Sequence, residues 1–445
     1  MMTNQDAQTL VGKILSYSQL PECEISVNQT ETVFIRFANN GITTSGYQLN
    51  QQVSVTSTTD DRRSGNAVIT EVSEDALRRG VAQSEDLAKI SRPDPEHVAP
   101  LEKQNYPKLN NFDDFTASAR GDLLTQHVKS IVEAAHTKNL IAAGFITRTS
   151  TASAVGNKAG LYGYTTYTDC NLSNTMRARD GSSSGWADQV STSIKDIDGS
   201  KVARISVDKC ITGVGKRQLE PGKYTVILEP AAVSDLLGYF GWAIGARDAE
   251  QGRSFLSRKG KSGETLVGEK LFPELITLRN DPFNPKLSAQ PWSAPSLLPS
   301  ERITWIENGV MRNMYWDRFW AEKAGKKPTP WPGNLVLDGQ PHTLDDLIRG
   351  AGRALLVTRF WYIRMLQPQT LQLTGLTRDG VFLVENGKIT EPVMNFRWNE
   401  SPVRVLQNTK QLTTPVPAVG AEAGSSFAPA LLATDFNFAS VSDAV

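Results

Sequence analysis

Few residues in this chain have the type and spacing for chemistry. There are four histidines, His97, His127, His136 and His342, and three cysteines, Cys23, Cys170 and Cys210. A zinc peptidase helix needs two histidines on one face with a glutamate between them, and HExxH is absent. His127 and His136 fall nine positions apart on a helix predicted over Leu123–Lys138. That spacing puts them on opposite sides, so they cannot share one metal. Glu133, three residues before His136, predicts a surface ion pair instead. The cysteines are odd in number and form no CxxC, which supports neither a disulfide framework nor a zinc knuckle. A phosphate loop is not formed: Gly260-Lys261-Ser262 supplies its end, but Phe255 stands where the first glycine belongs. Gly213-Val214-Gly215 lacks its third glycine, with Gln218 in that place. Gly181–Gly185 spells G-x-S-x-G, yet charged Arg177–Asp180 precede it where a nucleophile elbow needs a buried strand. It reads as a flexible Ser/Gly loop. Asp60-Asp61 and Asp345-Asp346 are adjacent and diverge, which suits caps or solvated charge; His342 reads as a helix-start residue.

The elements that would position such residues are clearest in Tyr224–Arg258. A β-branched run, Tyr224–Leu228, follows the turn Pro221-Gly222. Pro230 then opens an apolar, helix-compatible segment that breaks at Gly245. Its only carboxylate is Asp235. Strand, turn and buried helix make a rigid platform, here without histidine or cysteine on it.

Composition bounds the rest. Over 445 residues, Lys+Arg and Asp+Glu are each 47, so the chain lacks the cationic surplus of a general nucleic-acid binder. A hydrophobic fraction of 39% supports real cores. No run reaches the ~20 apolar residues of a membrane span, and the first ten residues lack a secretion signal's basic and apolar runs. The expectation is a soluble, cytoplasmic protein.

In chain order, residues 10–22 suit a short helix. Glu24–Asn39 alternates as a strand ending at the turn Asn39-Asn40-Gly41. Gln52–Thr56 and Ala67–Val72 read as strands, and Ser73 caps a helix over Glu74–Ile90. Residues 91–110 read as an extended connector and 140–170 as β structure. Trp186, Val190, Ile194 and Ile197 predict a third helix, and Val202–Cys210 a further short element that buries Cys210. Asn280–Pro341, with Trp292, Trp305, Trp316, Trp320 and Trp331, reads as an excursion pinned by aromatics, or as a wall over a cleft. Leu355–Arg364 is a strand, and Asn386-Gly387 the turn of a hairpin. Ser401–Gln411 reads as a helix, AVGAEAGSS as flexible, and LLATDFNFASV as a last strand. The fold class is α+β, an N-terminal α/β part followed by a β-rich C-terminal domain, divided at 1–110, 111–217 and 218–445.

Several stretches together resemble the TldD/PmbA family, the modulators of DNA gyrase of peptidase family U62. They are Arg36–Ile42 (RFANNGI), Ala154–Tyr164 (AVGNKAGLYGY), Glu307–Val310 (ENGV) and Tyr315–Thr329 (YWDRFWAEKAGKKPT). Thr358–Tyr362, Thr377–Gly380 and Val384–Lys388 (VENGK) complete the set. Their order and spacing span nearly the whole chain.

The resemblance implies one of two subunit kinds. TldD-type chains carry HExxxH on a helix after a strand, with a cysteine ligand near the C-terminus. TldE (PmbA)-type chains share the fold without those ligands. Placed without gaps, Gly238 takes the first histidine's position, Tyr239 the glutamate's and Ala243 the second histidine's. Pro415–Val445 holds no cysteine. The likeness is therefore to the TldE side, which implies no cofactor in this chain and zinc in a TldD-type partner. It further implies a peptide substrate held in a cleft near the subunit boundary, and a homodimer when the chain is alone. The exposed end of Leu355–Arg364 is the candidate peptide-pairing edge. Arg359, Tyr362 and Arg364 are candidate anchors, and Arg247, Asp248 and Arg258 candidate cleft or partner contacts. Two alternatives stay open: a gyrase-modulating binding protein, and an active hydrolase whose site has moved to His127, His136 or Asp235.

Overall fold

The structure is a computed structural model that describes residues 1–442. Helix α1 (Asn4–Tyr17) starts at a capping box of Thr3 and Asp6, earlier than residues 10–22 suggest, and ends before Pro21. Strands β1 (Glu22–Ala38), β2 (Gly41–Thr58) and β3 (Ser64–Ile69) follow, then α2 (Glu74–Ile90), capped by Ser73 as expected. After the connector come α3 (Asp114–Ser118), α4 (Gly121–Thr137), β4 (Leu140–Asn157), β5 (Tyr162–Ala178), β6 (Ser184–Ser191) and α5 (Gly199–Thr212).

The six strands make one sheet in the order β3-β2-β1-β4-β5-β6, every neighbour antiparallel. Residues 1–110 and 111–217 thus share a sheet. The odd-numbered residues of β1 explain how it is covered. Cys23, Ile25 and Val27 pack under α1 and α2, whereas Val33, Ile35 and Phe37 pack under α4 and α5. Gln29 and Glu31, between them, are only half-buried.

Two local expectations are corrected here. Trp186 and Val190 lie in a strand, with one 3₁₀ turn at Ile194–Asp196 beyond it. Their i, i+4 spacing matches a helix by coincidence, and pairing with β5 holds Ser184–Ser191 extended. Glu133 pairs with Lys129 at 3.7 Å rather than with His136, which is exposed. Cys210 is buried as expected, together with Cys23 and Cys170. The G-x-S-x-G stretch is less loop-like than expected, because Ser183 is buried and its hydroxyl donates to the Cys210 carbonyl at 2.8 Å.

From β7 (Gly222–Leu228) and α6 (Pro230–Trp242) onward the architecture changes. Strand Arg353–Gln367 pairs with β7, β7 with Leu431–Ser442, that strand with Asn395–Glu400, and that with Gln372–Glu385. Gln372–Glu385 pairs back with Arg353–Gln367, so five strands close into a barrel and most of their edges disappear. Phe360, Phe396, Trp398, Phe436 and Phe438 fill it, with ring centroids 4.6–5.8 Å apart in Phe360–Trp398, Phe360–Phe436 and Phe396–Phe438. Asn386-Gly387 makes the expected hairpin turn, both residues at positive φ. The expected helix Ser401–Gln411 is one short helix, Pro402–Gln407, then a strand, Thr409–Leu412. Its second half is extended because it pairs with Leu431–Ala433.

The tryptophan-rich excursion builds a second C-terminal sheet. Leu278–Asn280, Ile303–Glu307, Val310–Met311 and Leu335–Leu337 join Ser425–Ala428 and Val416–Val419. Trp305 is fully buried and its Nε1 donates to Asn280 at 3.1 Å. Helix α6 is mostly apolar because Ala231–Gly241 is buried on every side, between barrel and sheet, with Trp242 exposed at its end.

Candidate functional site

The site is built where β7 feeds α6, beneath the loop Gly420–Gly424. Asp235 is fully buried on α6. Its carboxylate accepts three backbone N–H groups of that loop, from Ala421 at 3.0 Å, Glu422 at 2.9 Å and Ala423 at 3.1 Å. Burial pushes the Asp235 carboxyl up to about 6, and the three donors oppose that rise. Ser234 adds a bond to the Gly424 carbonyl at 3.1 Å. The stretch AVGAEAGSS is therefore not flexible here but tied to the helix. Its composition is that of a linker, and the order comes from Asp235, almost two hundred residues earlier in the chain.

The loop in turn organises the barrel rim. Glu422 accepts the Ile363 N–H at 2.8 Å and an Arg364 guanidinium N–H at 2.7 Å. Tyr239 donates its hydroxyl to the Ile363 carbonyl at 3.1 Å. Strand Arg353–Gln367 pairs with β7 only over Leu355–Val357, so its upper half has no strand on that side among the described residues. At Ile363 that open edge is already occupied by Glu422 and Tyr239. Tyr362 sits at φ 57°, 57% exposed, with the Arg364 guanidinium 4.5 Å over its ring. Trp361, Met365 and Leu366 of the same strand are exposed, and so is Trp242 of α6, whose ring meets that of Tyr239, which leaves a partly apolar rim.

Each motif position has a structural occupant. A Cβ on Gly238 would lie 2.4 Å from the Ala423 Cβ and 2.8 Å from its carbonyl oxygen. Tyr239 is buried and stacks edge-on against Trp242 at 4.9 Å. Ala243 ends α6, and its carbonyl accepts the Ser254 hydroxyl at 3.0 Å. Zinc needs several soft or anionic donors around one point. Glycine, tyrosine and alanine in these positions do not fit that group, and the loop backbone fills the space beside Gly238.

A cleft of about 210 Å³ opens next to this loop, lined by Trp186, Asp188, Arg359, Trp361, Gly420 and Ala421 among others. It lies between β6 of the N-terminal sheet and the barrel. Arg359 is held inside it: its Nε donates to Asp379 at 3.0 Å, and its guanidinium lies 4.6 Å over Trp186. Burial alone would raise the Asp379 carboxyl; the Arg359 charge overrides it and holds the group below the usual range. Behind them Lys209 pairs with Glu229 at 2.8 Å, both largely buried. Arg359→Ala leaves the fully buried Asp379 carboxylate to the more distant Arg378, at 3.7 Å, so it is expected to cost about 3 kcal/mol. A urea unfolding midpoint measures this, and an unchanged midpoint would mean that water replaces the pair without loss.

The other sequence candidates lie apart from the loop. Arg247 grips Glu96 of the connector through two bonds, 2.7 and 2.6 Å. Asp248 pairs with Arg253 at 2.7 Å, and Arg258 with Glu264 at 3.2 Å and with Glu269. His127 accepts the Gly199 N–H through Nδ1 at 3.3 Å, and burial lowers its pKa, so it acts as a neutral acceptor at the start of α5. The structure thus gathers Tyr239, Tyr362 and Arg364 around Glu422, puts Arg359 in the cleft, and sends Arg247, Asp248 and Arg258 into separate ion pairs. Sequence reasoning missed Trp186, Asp188, Glu422 and Asp379. Glu422, a lone acid in a small-residue stretch, and Asp379, inside the quoted Thr377–Gly380, offered local signals.

Comparison with known proteins fits this geometry. Residues 221–440 match the PmbA/TldA metallopeptidase C-terminal domain, and residues 23–88 match its domain 1. Metalloprotease PmbA of Escherichia coli O157:H7 is 24% identical over 377 residues, covering 80% of this chain and 78% of its own. TldE from Thermococcus kodakarensis has the same fold, with a TM-score of 0.84 at 20% identity over 97% of this chain and 99% of that one. A candidate modulator of DNA gyrase from Bacteroides thetaiotaomicron gives 0.82 at 19% identity, over 99% and 100%.

Proposed function

The chain belongs to the PmbA/TldD metallopeptidase family, and from that premise we propose that it is the family's non-catalytic, TldE-like subunit. It works with a TldD-type chain that carries the zinc, and together they degrade or process unfolded peptides. The observation that carries this reading is the seat of Ala423 against Gly238, the position to which the resemblance assigns a TldD-type chain's first histidine. Hydrolysis through a metal-bound water needs ligands and a base, and these three positions offer neither.

This chain's own residues would bind and orient. The rim around Trp361, Tyr362 and Arg364 offers aromatic faces, a cation and partly open strand backbone to an extended peptide or to the partner. Backbone pairing is largely indifferent to peptide sequence, which suits unfolded substrates. The two remaining readings gain less. His127 is committed to a helix start and Asp235 to a loop, and the balanced charge adds nothing to a gyrase role.

The test mixes this chain with a TldD-type partner and follows cleavage of an unfolded peptide. The expected result is cleavage by the pair at least tenfold faster than by either chain alone. Equal activity of the partner with and without this chain overturns the reading. Stoichiometric zinc and activity in this chain alone would replace it with a relocated site.

A further inference from the structure

Of the helices α1 to α5, only α4 begins without a side-chain cap. Thr3, Ser73, Asp113 and Asp198 cap the others, whereas Arg120 offers α4 no acceptor. The Gly121 and Asp122 N–H groups have no partner among the described residues. A Cβ on Gly121 would meet nothing within 4 Å, so the space before the helix is open. A groove of about 690 Å³ starts there. Arg120 and Gly121 line it on the helix side, and Val33, Ile35, Ile42 and Tyr47 on the sheet side. Tyr47 stands opposite Val33, and Ile42 opposite Phe37, so the sheet side is one face of the β1–β2 hairpin. Its outer part is uncovered: Ile42 and Tyr47 are 48% and 61% exposed.

Arg148 of β4 lines the same groove and is only 3% exposed. Its Nε donates to the Ala119 carbonyl at 2.8 Å, and its Nη2 pairs with Glu31 at 2.6 Å. Nη1 is buried and has no partner among the described residues. A charged donor left unmade in a core is costly, so it calls for an acceptor. The charges of the groove point the same way. Its ionisable groups are Glu31, Arg120 and Arg148, two cations against one carboxylate. Glu31 is committed to Arg148, and Arg120 forms no ion pair among the described residues. The positive end of the α4 dipole adds to that excess.

We propose that this groove binds a small amphiphilic monocarboxylate, a fatty acid of medium chain length. Its head group sits at the start of α4 beside Arg120 and accepts from Arg148 Nη1. Its chain lies along Val33, Ile35, Ile42 and Tyr47. One cation in excess matches a single carboxylate. A doubly charged phosphate would overfill the site and face Glu31. The buried Nη1 is shut off from water as the side chains stand. The mouth can open, because Arg120 is exposed without a partner and Tyr47 is held only by a long bond to Glu31, 3.4 Å. None of these residues lines the cleft beside Trp186, so the proposal does not depend on the peptidase reading.

The experiment titrates the full chain with decanoate, below its micelle concentration, in a calorimeter. The expected result is one saturable site with a dissociation constant on the order of tens of micromolar. Hexanoate, four methylenes shorter, should bind roughly tenfold more weakly or worse. Decyltrimethylammonium, with the same chain and the opposite charge, should not bind. Arg120→Glu and Ile42→Glu both alter exposed positions. An acid at the start of α4 also suits the helix dipole, so the fold should hold. Each should weaken decanoate roughly tenfold by charge repulsion, with unchanged circular dichroism. A photoreactive diazirine on the chain of decanoate should label residues 41–47 or 117–125. No saturable decanoate binding at millimolar concentration overturns the proposal. So does equal binding of the cation, binding indifferent to both substitutions in folded variants, or a label placed elsewhere in the chain. Capture of the chain by phosphatidylglycerol vesicles without decanoate binding also overturns it, in favour of a membrane contact. If both variants misfold, the position of the label decides alone.

Discussion

Gly238→Ala is expected to destabilise the chain by up to about 2 kcal/mol, although alanine is the better helix former. Two effects oppose each other. Replacing a glycine inside a helix gains up to ~1 kcal/mol in backbone entropy. Against it, the new methyl would sit 2.4 Å from the Ala423 Cβ and 2.8 Å from its carbonyl oxygen. Neither neighbour is the end of a flexible side chain, and Asp235 and Ser234 hold the loop in place. Overpacking against fixed backbone typically costs 1–3 kcal/mol, so the clash wins. Gly238→His demands more room still. The combined variant Gly238→His, Tyr239→Glu, Ala243→His restores the family's letters, yet it is expected to bind no stoichiometric zinc. Urea unfolding of the single variants and metal analysis of the triple variant check this. A triple variant with bound zinc and wild-type stability would show that the loop leaves the space free.

That helix shows why part of the site was legible and part was not. The β-branched run, the proline at the first turn and the apolar stretch after it are local signals, and β7 and α6 follow them closely. The resemblance singled out Gly238, Tyr239 and Ala243 by the side chains they lack. What replaces those side chains was not legible, because Ala423 and Asp235 meet only through tertiary packing. AVGAEAGSS has a linker's composition, and nothing nearby says that a buried carboxylate collects its N–H groups. Trp186 failed for a related reason. Its spacing to Val190 fits a helix as well as a strand, and only the partner β5 decides between them. The ring closure of the barrel is likewise invisible locally, since Gln372–Glu385 and Arg353–Gln367 look like an ordinary hairpin. In the sequence Arg359 is a candidate peptide anchor; its commitment to the buried Asp379 follows only from the fold.

Asp235 is the second test of the same assembly, and its pH dependence separates it from a simple packing defect. Asp235→Ala leaves three backbone N–H groups without an acceptor beneath the loop. At about 1–3 kcal/mol for each buried unsatisfied donor, partly recovered by water, the expected loss is roughly 3–5 kcal/mol. Asp235→Asn keeps one acceptor oxygen and should lose less. The wild-type carboxyl lies at about 6 in the folded chain, against ~3.9 when unfolded. The folded state therefore binds the proton more tightly, and this group's contribution is greatest below pH 4. It is lost as the pH rises towards 6, by about 3 kcal/mol for two pKa units. Asparagine does not titrate. The stability advantage of the wild type over Asp235→Asn should thus shrink between pH 4 and pH 6.5, while Gly238→Ala, which alters no charge, should keep a nearly constant deficit over the same range. Parallel urea titrations at several pH values measure both. An Asp235→Asn gap that widens with pH would mean that the three N–H donors outweigh burial and that the loop is held by a carboxylate ionised throughout. The Gly238→Ala deficit would still stand in that case, because it rests on the contact with Ala423 and not on the charge beneath it.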